Sequence, residues 1–170
     1  MSRLVFLALV CILLAVATGC GRDSSAEVAS TPGGGVVIGT VDGDTLDVDV
    51  GDGRTERVRL LGVDTPETVD PDRPVECGGP EASALLASLL PAGTVVRLER
   101  DAEARDRYGR LLAYVFRDDG LFVNEAIVAA GAGELLSIAP NEAYDERLGA
   151  AASTARAAGA GIWTACARAP

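Results

Sequence analysis

The side chains able to do chemistry gather in two short stretches, Val41-Asp42-Gly43-Asp44-Thr45 and Arg59-Leu60-Leu61-Gly62-Val63-Asp64-Thr65-Pro66-Glu67. A third stretch, Asp106-Arg107-Tyr108-Gly109-Arg110, adds cations further along. The chain has 170 residues and no His, and all 15 of its basic residues are Arg. Those absences exclude Ser-His-Asp and Cys-His relays, the HExxH zinc helix, the Walker-type phosphate loop and the lysine Schiff base. Acid–base work falls to Asp, Glu, Tyr, Cys or metal-bound water, with Arg as the only side-chain cation.

Each stretch also has a plain structural reading. Asp-Gly-Asp-Thr alone is a turn, and the EF-hand template fails because Leu46 stands where a third oxygen ligand is needed. Asp64-Thr65-Pro66-Glu67 alone is a capped turn in which Pro66 biases Thr65 towards an extended backbone. Arg59 and Arg110 could equally be solvated surface cations.

The elements that must position these residues change the balance. Val36–Val41 and Thr45–Val50 read as strands, the second alternating Leu46, Val48 and Val50 with water-facing Asp47 and Asp49. Gly51-Asp52-Gly53 supplies a turn, and Glu56–Val63 returns as a strand. A turn centred near residues 53 and 54 predicts Asp44 opposite Val63 and beside Asp64. Two carboxylates so close need a cation or a proton between them, and an oxygen-only ligand set favours a hard ion such as Ca²⁺. Strict alternation puts Arg59 and Asp64 on opposite faces, so their convergence requires a bend at Gly62.

Val95–Glu99 and Leu111–Phe116 are the remaining strand candidates, the second apolar on both faces and therefore central. One helix begins at Pro80 and stops at Pro91, a second runs from about Leu121 to Ala130, and a third starts after Pro140, with Asn141 as a candidate cap, and runs to about Gly159. Five short strands with three helices give an α+β class, a small barrel or sheet with helices on one side. At 48% hydrophobic and 24% charged the chain fits a single domain, over residues 36–170. Its net charge of −10 excludes a general polyanion binder, because such proteins neutralise phosphates with many Lys and Arg.

The N-terminus has Arg3, an apolar run from Leu4 to Val16, and small residues up to Cys20, which reads as a secretory signal over residues 1–19. The run is short for a bilayer span, which needs roughly 20 residues. Ala17-Thr18-Gly19-Cys20 resembles a bacterial lipobox, with Ala17 in place of the usual Leu, so Cys20 is expected to carry lipid on the extracytoplasmic face of the cell membrane. Cleavage near Gly19 to release a secreted protein is the alternative. Residues 20–35 are polar and rich in Gly and Ser, a flexible linker. Cys77 and Cys166 then remain, and in an oxidising compartment they are expected to pair, closing a long loop worth about 4 to 5 kcal/mol in the chain-entropy model. A two-cysteine metal site is the competing reading, though thiolate zinc sites recruit further Cys or His.

Taken in order and spacing, the sequence resembles the staphylococcal-nuclease-like, or thermonuclease, family. The resemblance rests on Val41 to Thr45, Arg57 to Glu67, Glu76-Cys77-Gly78-Gly79-Pro80-Glu81-Ala82, Arg105 to Tyr114, Phe122-Val123-Asn124-Glu125 and Gly161-Ile162-Trp163. It implies an OB-fold five-stranded barrel with three helices, and Ca²⁺-dependent hydrolysis of DNA or RNA phosphodiesters; separately, the chain is expected to be a monomer. By position it assigns Asp44, Asp64 and the Thr65 carbonyl oxygen to Ca²⁺, and Glu67 to the general base. It assigns Arg59 and Arg110 to the scissile phosphate, and Arg107 and Tyr108 to a neighbouring one. Cys77 and Cys166 match a cysteine pair of exported members. One departure concerns the nucleotide pocket, where the family prototype has tyrosines and a lysine before a Pro-Asn pair. Here Leu135-Leu136-Ser137-Ile138-Ala139 precedes Pro140-Asn141. That change and the acidic charge motivate the rival reading, a non-catalytic OB-fold module that binds nucleic acid or protein. A second rival is an envelope lipoprotein that holds Ca²⁺ for stability alone.

Overall fold

The computed structural model describes residues 33–167. The expected signal segment, Cys20 and most of the linker lie outside the described residues. The strands are β1 (Gly33–Thr40), β2 (Thr45–Asp49), β3 (Thr55–Leu60), β4 (Gly62–Asp64), β5 (Val95–Glu99), β6 (Leu111–Arg117) and β7 (Glu134–Leu136). The helices are α1 (Gly79–Leu89), α2 (Val123–Ala129), α3 (Asp145–Ala158) and the single turn α4 (Ile162–Ala165). Among the described residues no helix is long and apolar enough to cross a membrane.

Five strands close into a barrel in the order β1-β2-β3-β6-β5, as expected for an OB-fold. All pairings are antiparallel except β3 with β6, which run parallel. The period-two pattern of the sequence turns Leu46, Val48, Val58, Leu60, Val96 and Leu98 into the barrel, where all are buried. Leu86 and Leu90 at the end of α1, with Val123 and Ile127 of α2, belong to the same core. Strand β6 is buried on both faces, as its composition predicts. Its Tyr114 and Phe116 form a second cluster with Phe122, Leu148 and Leu61, against which Tyr144 packs.

Three expectations need correction. Strand β1 begins at Gly33, so Gly33–Gly35, assigned to the linker, are ladder residues paired with Val96–Leu98 of β5. The β2–β3 register also differs: Thr45 faces Arg59, and Asp44 does not face Val63. The cause is a tighter turn. Gly51, Asp52 and Gly53 all have positive φ, and the Arg54 N–H donates to the Gly51 carbonyl, closing the hairpin at Val50 and Arg54. Finally, α3 starts at Asp145, and Asn141 is not its cap. The buried Asn141 amide instead accepts from Glu103 N at 2.7 Å and donates to Glu103 O at 3.0 Å.

The return strand, read as Glu56–Val63 with a bend at Gly62, is divided there into β3, ending at Leu60, and β4, beginning at Gly62. Gly62, at φ 71°, turns the chain out of the barrel so that β4 pairs with β7 in a separate two-stranded sheet. This bend frees backbone carbonyls that must find donors. Leu60 O and Val63 O accept from the Arg59 guanidinium at 2.9 and 2.6 Å, and Leu61 O accepts from the buried Asn124 amide at 2.8 Å. Asn124 also accepts from Val115 N, joining α2 to β6 and to the bend. Cys77 and Cys166 form a disulfide with Cα atoms 5.8 Å apart, linking the start of α1 to the end of α4 across 89 residues.

A Cβ on Gly62 would stand 2.4 Å from Leu148 Cδ1 and would sit on a left-handed backbone. Gly62→Ala is therefore expected to lower unfolding free energy in urea by about 2 kcal/mol. Gly39→Ala, with open space around it, should change it by less than about 0.5 kcal/mol.

Candidate functional site

The loop before β2 is shaped by its own side chains. Asp42 Oδ1 accepts from Asp44 N at 3.1 Å, and the backbone closes with Val41 N donating to Thr45 O at 2.8 Å. Gly43 allows this loop to lie against its neighbours, since a Cβ there would meet Thr65 Oγ1 at 2.6 Å and Ala82 Cβ at 2.7 Å. The result is a buried carboxylate: Asp44 is only 6% exposed. Its Oδ1 accepts from the Thr45 hydroxyl, and its Oδ2 accepts from both the backbone N–H and the hydroxyl of Thr65, each at 3.1 Å.

The bend at Gly62 brings the second stretch to the same place. Arg59 Nη2 lies 3.2 Å from Asp44 Oδ2 and 3.2 Å from Asp64 Oδ1. Thus Asp44 and Asp64 converge, as the sequence predicts, but through the bend and a shared guanidinium rather than through direct cross-strand pairing. Asp64 keeps a largely exposed side chain, whereas Asp44 and Arg59 do not. Glu67 follows at the exit of the bend, with Oε1 accepting from the N–H groups of Thr68 and Val69 at 2.7 Å.

Arg110 arrives from the other side, at the entry to β6. Asp106 holds it by accepting from its backbone N–H at 2.9 Å and from its Nε at 2.7 Å. Both Nη groups of Arg110 are without a hydrogen-bond acceptor among the described residues. All of these side chains line one notch of about 170 Å³: Asp42, Asp44, Asp64 and Glu67, with Thr65, Arg59 and Arg110. Arg107 and Tyr108 do not reach it. They line an adjoining cleft of about 430 Å³ that shares Arg59 and Arg110 with the notch. There the Arg107 Nη2 donates to the Tyr108 hydroxyl at 2.6 Å, beside the exposed Leu136 and Ile138. Leu136 and Ile138 thus give this cleft an aliphatic stretch, as the departure in sequence predicts.

The electrostatics of the notch are unbalanced. Four carboxylates face two guanidiniums, of which Arg110 is already paired with Asp106, so the notch carries a surplus of negative charge. Burial, and then the charge of Asp44, raise the Asp42 carboxyl above its ordinary value. Burial also raises Asp64, despite Arg59, with Asp44 adding to the effect. Glu67 behaves oppositely, held low chiefly by the Val69 N–H and then by that of Thr68. Asp106 is lowered against its burial by the Arg110 side chain and backbone. Among the described residues no three acidic groups close into a preformed metal cage. The oxygen-only donor set and the surplus charge nevertheless fit a hard divalent cation that completes its shell with water or substrate oxygens.

Two functional partners escaped the sequence reading. Asp106 had a legible signal, an acid four residues before Arg110 around a glycine turn. Glu76, whose Oε2 accepts from Glu67 N at 3.0 Å, had none, because eight residues of loop lie between the two.

A family model described as staphylococcal nuclease homologue matches residues 57–165. The chain is 42% identical over 128 residues to the thermonuclease of Staphylococcus hyicus, an alignment covering 75% of this chain and 74% of that protein. It is 46% identical over 104 residues to the thermonuclease of Staphylococcus intermedius, covering 61% of this chain and 60% of that one. Endonuclease YncB of Bacillus subtilis (strain 168) is 36% identical over 126 residues, covering 73% and 58% respectively.

Because Arg59 satisfies both the bend and the acids, Arg59→Ala should cost about 3 kcal/mol of stability, the loss typical of a broken buried ion pair. Arg110→Ala breaks a more open pair and should cost at most about 1 kcal/mol. Urea denaturation of the two variants measures the difference, and equal losses would separate the bend from Arg59.

Proposed function

The chain belongs to the staphylococcal nuclease family, and on that premise we propose that it is a monomeric, calcium-dependent nuclease, exported and tethered through Cys20, which hydrolyses DNA and RNA phosphodiesters at the Asp44–Glu67 notch. The observation that carries this reading is the gathering of four carboxylates and two guanidiniums around one small opening. An in-line displacement at phosphorus needs a base for water, a cation near the phosphate oxygens and fixed positive charge for the transition state.

Asp44 and Asp64, with the Thr65 carbonyl oxygen, would hold Ca²⁺. When bound, the ion would act as a Lewis acid on a phosphate oxygen and offset the surplus negative charge. Glu67, kept ionised by the Val69 and Thr68 amides, takes the proton from the attacking water. Arg110 offers its two Nη groups to the phosphate, while Asp106 fixes the rest of the side chain. Arg59 already makes two contacts to carbonyls and two to carboxylates, so its part is fixed positive charge beside the reacting phosphate. Arg107 and Tyr108, in the adjoining cleft, take a neighbouring phosphate. Export is supported by the apolar leader read from the sequence and by the Cys77–Cys166 disulfide, a bond that persists in oxidising compartments.

Purified full chain incubated with plasmid and single-stranded DNA should cut both with Ca²⁺ present and neither with a chelator. Glu67→Gln should lower kcat by about 10²-fold or more, and Arg110→Ala by about 10²- to 10³-fold. Undiminished cutting by Glu67→Gln would remove its assigned role. Cys20→Ser should move the protein from the membrane fraction to the soluble fraction of cells that express it.

A further inference from the structure

We propose that Glu56 and Arg105 are positioning residues, an ion pair that fixes the loop 106–110 against β3; the proposal rests on the reading of Arg107, Tyr108 and Arg110 as phosphate contacts. The loop is a small hairpin of its own. Asp106 N donates to Arg110 O at 3.1 Å, and Gly109 N donates to Asp106 O at 3.0 Å. The Asp106 carboxylate accepts from Tyr108 N and from Arg110 N and Nε, and Arg107 donates to the Tyr108 hydroxyl. Each of these bonds begins and ends within the loop. Together they set its shape and leave its tilt over the cleft to be set from outside.

That outside constraint comes through Arg105. Its Nη1 donates to Glu56 Oε2 and its Nη2 to Glu56 Oε1, both at 2.8 Å, while Nη1 also donates to Gly109 O at 2.8 Å. Among the described residues, the bonds to Glu56 are the only side-chain hydrogen bonds that join residues 105–110 to another part of the molecule. Glu56 belongs to β3, the strand of Arg59, and lies beyond the ladder in which Val58–Leu60 pair with Leu111–Ala113. The fork therefore spans the place where β3 and the chain leading into β6 part. It refers the loop cations to the strand that carries the other guanidinium of the notch, and a bidentate fork fixes orientation as well as distance. Displacement of a catalytic group by about 1 Å can cost roughly 10²-fold in rate.

Two other roles for the pair make different predictions. As a stability device it would be weak, because the Arg105 side chain is 48% exposed and open ion pairs add little to a fold. Arg105 also lines the cleft, where it could bind a substrate phosphate directly. The sign of the effect at Glu56 separates direct binding from positioning. Glu56→Gln removes a negative charge near a polyanion and frees the guanidinium, so a direct ligand would capture substrate better. A positioning residue would lose its seat, and turnover would fall.

The test measures kcat and KM of the full chain on single-stranded DNA at saturating Ca²⁺, together with melting temperature. Glu56→Gln, and Arg105→Lys, whose ammonium cannot form the fork, should each lower kcat/KM by about fivefold or more. Both should melt within about 4 °C of the parent. The double variant should lose no more than about twofold beyond the weaker single variant, because either change already breaks the pair. Parent-like or higher kcat/KM in Glu56→Gln, multiplied losses in the double variant, or a larger drop in melting temperature would each overturn the proposal while leaving the loop cations in their roles. Parent-like activity in both Arg107→Ala and Arg110→Ala would instead overturn the reading of the loop, and this proposal with it.

Discussion

The guanidinium of Arg59 joins two problems that the chain would otherwise have to solve separately. Where β3 ends, the turn at Gly62 leaves carbonyls unpaired; where Asp44 and Asp64 meet, two negative charges approach in a partly dry setting. One planar cation answers both, donating to Leu60 O and Val63 O and lying 3.2 Å from each carboxylate. A fork with fixed geometry is suited to this, and a flexible ammonium would not span the same four oxygens. The buried charges are tolerable because they are paired and hydrogen-bonded at once. Asp44, in turn, holds Thr65 and so fixes the chain that leads to Glu67.

Much of this was legible in the sequence. Alternation in β2 and β3 gave their inward faces, the two-sided apolar character of β6 gave its central place, and the conflict between alternation and the Arg59–Asp64 contact pointed to a bend at Gly62. What was not legible came from long-range hydrogen bonds and turn geometry. The hairpin register depended on three successive left-handed residues, Gly51 to Gly53, of which Asp52 gives little warning. Asn124 and Asn141 looked like ordinary polar residues of helix starts. They are instead latches to Leu61, Val115 and Glu103, and no local pattern encodes a partner 63 or 38 residues away. Strand β7 has three residues, too few to show a period.

The whole-molecule charge of −10 and the local chemistry pull in opposite directions. A polyanionic substrate meets a repulsive field at long range, and on the proposed reading attraction comes from Arg107, Arg110 and a cation held by the acids. On the proposed reading, capture then depends on divalent ion occupancy and on ionic strength more than in a basic protein of the same fold. The aliphatic wall formed by Leu136 and Ile138 offers contact area to a nucleotide without an aromatic face on which to stack.

The parallel pairing of β3 with β6 has a temporal consequence. Asp44, Arg59, Asp64 and Glu67 all precede Glu76 in the polypeptide, yet the strand that carries Arg59 has one of its two neighbours only when Leu111–Ala113 have been laid alongside it. A nascent chain released before that point holds every acid of the notch but lacks Arg110 and the strand that closes the barrel beside β3. The notch therefore gains its second guanidinium and its barrel support late in the order of synthesis.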